Sequence, residues 1–170
     1  MLIETTRLRL REMTQQDFPA LCRIMQDTEA MVAAYVRPFT KDEVQGWLNR
    51  HLARYETLGF GLWAVVLKET GEMIGQCGLT LQPWQNDQVL ELGYLFNRAH
   101  WHTGYAAEAA QACKEYAFTV LGASEVCSVI RDTHAASQGV ALRIGMQMAD
   151  SCTKEFRGVD MNFIRYVARQ

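Results

Sequence analysis

Residues 91–110 read ELGYLFNRAHWHTGYAAEAA: a strand-like run, a short loop, a glycine, then a helix of mostly small residues. This order of residue types can bind an anion. The first amides of a helix have no intrahelical acceptor, and the helix dipole adds partial positive charge to them, so phosphate is favoured there. Gly104 permits close backbone approach, and Ala106 and Ala107 leave the first turn uncluttered. A glycine before a helix is also an ordinary cap, so this feature alone leaves both readings open. His100 and His102 resemble half of a metal site, but no third ligand has convincing spacing, and no metal is expected. Trp47, Trp63, Trp84 and Trp101 are expected in core or loop packing, and Arg7, Arg9 and Arg11 on a solvated strand face.

The flanking sequence supplies the elements that would hold this segment. Residues 6–12 alternate, with Leu8 and Leu10 on one face, as a half-buried strand does. A helix is expected from Thr14, with Phe18, Leu21, Cys22 and Met25 at helical spacing. Thr40 and Glu43 form a capping box that opens a second helix through Val44, Trp47, Leu48, His51 and Leu52, with residues 59–61 ending it. Strands are predicted over 60–68, 73–81 and 89–96, with a loop over 82–87. Gly93 interrupts the third strand and marks a bulge or a close backbone approach. A helix over 105–121, a strand over 126–131, a helix over 135–144 and strands over 146–152 and 160–167 complete the chain. An antiparallel meander followed by β-α-β-α implies a mixed α/β sheet with helices packed on it.

Composition narrows the function classes. At 170 residues, 49% apolar and 21% charged, the chain reads as one globular domain over 1–170, with no linker or repeat. A net charge of -2 disfavours nucleic-acid binding. No apolar run is long enough for a transmembrane helix, and the first residues lack the apolar stretch of a signal peptide. Five scattered cysteines without a C-x-x-C pair argue against a disulfide framework or zinc ribbon. A cytoplasmic protein without membrane attachment, monomeric or homodimeric, is expected.

The run Trp101-His102-Thr103-Gly104-Tyr105-Ala106 resembles the acetyl-CoA motif of the GNAT superfamily of N-acetyltransferases, Q/R-x-x-G-x-G/A. Three blocks, in order, resemble the ribosomal-protein-alanine N-acetyltransferase branch more specifically. They are Gly93-Tyr94 with Trp101, Gly104-Tyr105-Ala106 and Glu108-Ala109; Thr5-Thr6-Arg7-Leu8-Arg9-Leu10-Arg11 with Asp17; and His134-Ala135-Ala136-Ser137 with Arg143-Ile144-Gly145-Met146. The chain departs from the pattern at His102, where glycine is common, at Thr103, where a basic residue or Gln is common, and at His134, which replaces the family asparagine. Backbone amides at 102 and 103 remain available whatever the side chain.

The resemblance implies a mixed, mostly antiparallel sheet with helices on both faces and a splayed parallel strand pair. Acetyl-CoA, the acetyl-donor co-substrate, would lie in the splay. Tyr94, Leu95 and Phe96 would pair with its pantetheine arm, and His102, Thr103, Gly104, Tyr105, Ala106 and Ala107 would receive its pyrophosphate, with His134 beside the arm. A backbone N–H near Leu95 would steady the developing oxyanion. Glu91 is the candidate base, or else a surface carboxylate; Ser137 is the candidate proton donor to the leaving thiolate, or else a helix-start hydroxyl. The acceptor is expected to be a primary amine, a peptide N-terminal α-amine first. A small-molecule or amino-acid acetyltransferase and an inactive CoA-binding module are the alternatives. The two N-terminal helices and the loop after Leu81 would build the acceptor pocket.

Overall fold

In the computed structural model, which describes residues 2–170, eight strands form one sheet in the order β1-β2-β3-β4-β5-β6-β8-β7. β1 (Leu2–Glu4) turns back into β2 (Leu8–Arg11). A 3-10 turn at Gln15–Asp17 leads into α1 (Phe18–Met25), followed by α2 (Thr28–Tyr35) and α3 (Lys41–Leu58). β3 (Leu62–Leu67), β4 (Met73–Trp84) and β5 (Asp87–Phe96) form the meander. α4 (Tyr105–Thr119), β6 (Glu125–Arg131), α5 (Ala135–Arg143), β7 (Gln147–Phe156) and β8 (Val159–Arg169) follow. Every neighbouring pair is antiparallel except β5 and β6, which run parallel.

Both faces of the sheet are covered. One carries α4 and α5 over Leu8, Leu10, Trp63, Ile74, Leu79 and Leu92; the other carries α1 to α3 over Met13, Leu62, Ala64, Val66 and Leu95. β3 reads LWAVVL and is buried at every residue, as a strand covered on both faces must be. Each large apolar side chain enclosed here contributes about 1.5–3 kcal/mol relative to exposure. Gly78 has no room for a side chain, since a Cβ there would collide with the carbonyl of Gly61.

Three sequence expectations change. The predicted loop at 82–87 is strand instead: β4 and β5 stay in register to Trp84 opposite Asp87, and only Gln85 and Asn86 turn. Pro83 is tolerated because β4 overhangs β3 there, so no ladder hydrogen bond is lost on that side. Gly93 makes no bulge against β4; it lies opposite Gly78 in an unbroken register. α2 has no counterpart among the predicted elements, because TEAMVAAY is apolar nearly all round and shows no helical stripe, although Asp27 caps it by accepting from the Ala30 N–H at 2.9 Å. The arginines of the second strand region lie on a solvated face, as expected, and are ion-paired there: Arg7 with Glu108, Arg9 with Glu4, and Arg11 with the buried Asp17.

Candidate functional site

β5 and β6 meet at one register pair, Glu91 with Cys127, and then part. The buried Ser128 hydroxyl ties the junction by donating to the Leu92 carbonyl at 2.8 Å. Past it, one edge of β5 is left without a strand partner. Strand alternation fixes which groups line that edge. The Asn97 N–H donates to Ile74 on β4 at 2.8 Å, so odd-numbered residues of β5 turn their amides toward β4. Tyr94 and Phe96 turn theirs toward the gap, where the Trp101 indole also donates to the Phe96 carbonyl at 3.0 Å. The amide of Leu95 therefore cannot serve an oxyanion in the gap; its neighbours' amides can.

α4 starts at the far end of the gap. Gly104, its cap, has φ 83°, and His102 has φ 60°. Gly104 is required by that backbone angle rather than by crowding, because a Cβ would approach only Arg7, at 3.5 Å. The first bond of the helix is Glu108 N–H to Gly104 carbonyl at 3.0 Å, and among the described residues the amides of 102–107 find no acceptor. A run of free amides at a helix start is what a pyrophosphate needs. Arg7 braces the loop: its Nε donates to Glu108 at 2.7 Å, its Nη1 to the Thr103 carbonyl at 3.0 Å, and its guanidinium lies 4.4 Å over the Tyr105 ring. Thr5 adds a 2.6 Å bond to the same carboxylate.

A groove of about 330 Å³ runs along this edge, lined by Tyr94, Leu95, Phe96, Trp101, His102, Gly104, Tyr105, Ala106, Ala107, His134 and Ser137. Thr103 is the expected cofactor residue whose side chain does not line it; its hydroxyl donates back to the His100 carbonyl at 2.7 Å. His134 caps α5 without a side-chain capping bond, and burial, then the nearby Arg131, lowers its pKa, so the ring is neutral at pH 7. The donor set fits a thioester cofactor: free amides for phosphates, an open strand edge for an extended amide arm, and apolar walls.

A second cavity, about 480 Å³, opens on the other side of the splay, and Tyr94, Leu95, His134 and Ser137 line both. Glu91 faces this cavity at the point where the strands part. Burial pushes its carboxyl up to about 7, while the Val129 N–H that it accepts and the charges of Lys154 and Arg54 pull the other way. The Tyr94 hydroxyl donates to the Ser137 carbonyl at 2.8 Å, with the Ser137 hydroxyl 3.4 Å from it. Burial raises the pKa of Tyr94, so its phenol stays protonated. Two hydroxyls thus stand where the cavities join. His51 is no base: its Nδ1 accepts the Leu62 N–H at 3.3 Å, and burial, with Arg54 and Arg50 beside it, pushes its pKa down to about 3.

Of the two helices expected from sequence to build these walls only α3 does so, with Trp47, Arg50, His51 and Arg54; α1 lines none of the cavity, and α2 takes its place with Ala34 and Tyr35, beside the end of β4. The β7–β8 hairpin also contributes, with Lys154, Phe156 and Phe163, and no sequence signal indicated it. Phe156 lies 6.0 Å from Tyr35, which in turn lies 6.2 Å from Trp47. Arg157 secures the hairpin tip by pairing with Glu43 at 3.2 Å and lying 4.3 Å over Phe39. Such a contact between residues 114 apart is visible only in three dimensions. Among the described residues no His, Cys, Asp or Glu cluster could hold a metal ion, and no helix is long and apolar enough to cross a membrane.

Comparison with known proteins agrees with this geometry. Residues 7–147 match the family model of the acetyltransferase (GNAT) domain. The chain is 35% identical over 150 residues to the uncharacterized protein YkkB of Bacillus subtilis, covering 88% of this chain and 87% of that one. It is 33% identical over 127 residues to the uncharacterized N-acetyltransferase p20 of Bacillus licheniformis, covering 72% and 68%. Its fold is similar to that of RimL, a ribosomal L7/L12 alpha-N-protein acetyltransferase solved with coenzyme A, with a TM-score of 0.83 at 15% identity over 99% and 98% of the two chains. The chain belongs to the GNAT acetyltransferase family and is an acetyl-CoA-dependent N-acetyltransferase.

Proposed function

We propose that the protein acetylates the α-amine at the N-terminus of a peptide or protein, by direct transfer with Glu91 as the base. The carrying observation is the position of Glu91, half-buried at the splay with a carboxyl near 7, between the groove that suits acetyl-CoA and the second cavity. A base of that pKa suits an α-amine, whose reference value of about 7.7–8.0 leaves it far more often neutral than lysine at about 10.4. The blocks shared with the ribosomal-protein branch, and the likeness in fold to a protein that acetylates L7/L12 N-terminally, point the same way.

In this reading the free amides of 102–107 hold the pyrophosphate, and the edge of Tyr94 to Phe96 pairs with the pantetheine arm. The amine attacks the thioester carbonyl, Glu91 takes the amine proton directly or through water, and an amide of Tyr94 or Phe96 steadies the oxyanion. The C–S bond then breaks, and Ser137 or Tyr94 protonates the departing thiolate. A second acceptor class, small amines including free amino acids, is favoured by the cavity volume, which falls in the range of small-molecule sites.

A panel of free and N-terminally blocked peptides with acetyl-CoA, read by mass spectrometry, tests the assignment. Acetylation at the N-terminal nitrogen is expected. Efficient modification of lysine in blocked peptides, with none at free N-termini, would overturn it. A free amino acid turning over far faster than any peptide would establish the second class instead.

A further inference from the structure

The reading above leaves two arginines of the acceptor cavity without a task. Arg50 and Arg54 stand one turn apart on α3, and both line the cavity that holds Glu91. Eight other arginines, Arg7, Arg9, Arg11, Arg37, Arg98, Arg157, Arg165 and Arg169, each hold a carboxylate oxygen within 3.3 Å, and Arg23, Arg131 and Arg143 do not. Arg50 and Arg54 hold none among the described residues. Like charges one turn apart repel each other, and Glu91 acts on Arg54 as a nearby charge without forming an ion pair with it. The Arg50 guanidinium rests 5.7 Å from the Trp47 ring centroid, a contact that engages none of its N–H groups in an ion pair. Arg54 is half-buried, close enough to Glu91 for each to act on the other's charge.

The other two cations of the cavity are differently placed. Lys154 donates to the Pro83 carbonyl at 2.9 Å and lies over Trp84, and Arg131 donates to the Val32 carbonyl at 3.0 Å. The acids are Glu91, whose role is already assigned, and the exposed Glu155. The cavity therefore carries an excess of positive charge, two of its four cations lie on α3, and aromatic side chains of α2 and of the β7–β8 hairpin line it as well.

We propose that the acceptor amine carries a carboxylate a few bonds away, and that Arg50 and Arg54 receive it. This inference rests on the transfer reading above and specifies the chemistry of its acceptor. An anion between the two guanidiniums relieves their repulsion, and the planar fork of arginine matches a carboxylate in two parallel bonds. With the carboxylate at Arg54, the amine lies on the Glu91 side of the cavity. Two sources supply this chemistry: an acidic residue just after a peptide N-terminus, or the α-carboxylate of a free amino acid.

The test compares acceptors that differ only in that charge. Ala-Asp-Ala-amide is set against Ala-Asn-Ala-amide, and free phenylalanine against phenylalaninamide, with acetyl-CoA and the wild-type protein, Arg50→Gln, Arg54→Gln and the double variant. At least a tenfold preference for the acid over its amide is expected, mainly in KM, in one pair or both, falling below about twofold in the double variant. Arg54→Lys, which keeps the charge, should retain part of it. The pair that shows the preference identifies the source. Equal use of acid and amide by the wild type overturns the inference while leaving N-acetyl transfer intact; so does a preference that survives the double substitution. Should none of these amines be acetylated, the same compounds are titrated against tryptophan fluorescence with CoA present. Quenching by acids alone, lost in the double variant, supports the arginine site even though the acceptor reading fails. No difference between acid and amide overturns it.

Discussion

A carboxyl that ionises near 7 has consequences for rate and for stability, and both follow from the burial of Glu91. As the proposed base it must be deprotonated, so kcat/KM should rise through about 7. In Glu91→Gln that limb disappears, leaving the rise of the amine's own titration at about 7.7–8.0 in a peptide acceptor. Rate profiles of the two proteins check this, with a loss of roughly 10²–10⁴-fold expected in the variant. The stability effect has the opposite direction in pH. The folded carboxyl holds its proton more tightly than the unfolded one, so its contribution is complete below about 4.5 and is lost as pH rises through about 7. Glu91→Gln should therefore melt higher than wild type by an amount that grows between pH 5 and pH 8, to the order of 2 kcal/mol. A difference independent of pH would mean that Glu91 is well solvated. Gly104 and Ser137 stand out in the sequence because each falls in a block that resembles the family, and Glu91 because it precedes Gly93 on its strand; the structure lines the two cavities with all three. Arg50 and Arg54 do not stand out, since helix charges usually mark a solvated face and only the tertiary structure turns these toward a cavity. An oxyanion amide could be placed from the sequence only near Leu95; that the amides of Tyr94 and Phe96 face the gap depends on strand pairing.

At the scale of elements, the start of α4 carries the sharpest prediction. Gly104→Asp adds a carboxylate among the amides free at 102–107 and forces a side chain onto φ 83°. The backbone penalty is about 1–2 kcal/mol, which lowers Tm by a few degrees without unfolding the protein. The anionic ligand then meets like charge where it needs donors, so acetyl-CoA binding should be lost by calorimetry while circular dichroism is unchanged. Binding at wild-type affinity would move the phosphate site elsewhere. The strong periodicities gave the long elements: the capping box at Thr40 and Glu43 opens α3 as read, with the Glu43 N–H donating to Thr40 Oγ1 at 3.2 Å. The misses share one cause. α2 lacks an apolar stripe, the β4–β5 turn hides behind a proline that β4's overhang makes harmless, and β7 and β8 run past their patterned cores to a hairpin whose tip is held by Arg157. Each depends on a neighbour that local sequence does not name.

For the whole molecule, the two faces of the sheet divide the work. The α4 and α5 face carries the groove proposed for acetyl-CoA, the α2 and α3 face carries the cavity proposed for the acceptor, and β5 and β6 part between them beside Glu91. Acetyl-CoA at 100 times its Kd should stabilise the fold by about 2.7 kcal/mol, an increase of roughly 5–10 °C in Tm for a chain of this length. That shift reports the groove alone, and Glu91→Gln should keep it. The most direct measurement of the joined site is a single-substrate transfer assay at pH 7.5, wild type beside Glu91→Gln, with a free N-terminal peptide, acetyl-CoA and mass-spectrometric localisation of the product. The predicted result is one acetyl group on the N-terminal nitrogen, formed roughly 10²–10⁴-fold more slowly by the variant although both proteins show the same acetyl-CoA shift in Tm. Transfer at equal rates by the two proteins, or acetyl-CoA binding with no transfer to this amine, would contradict the account.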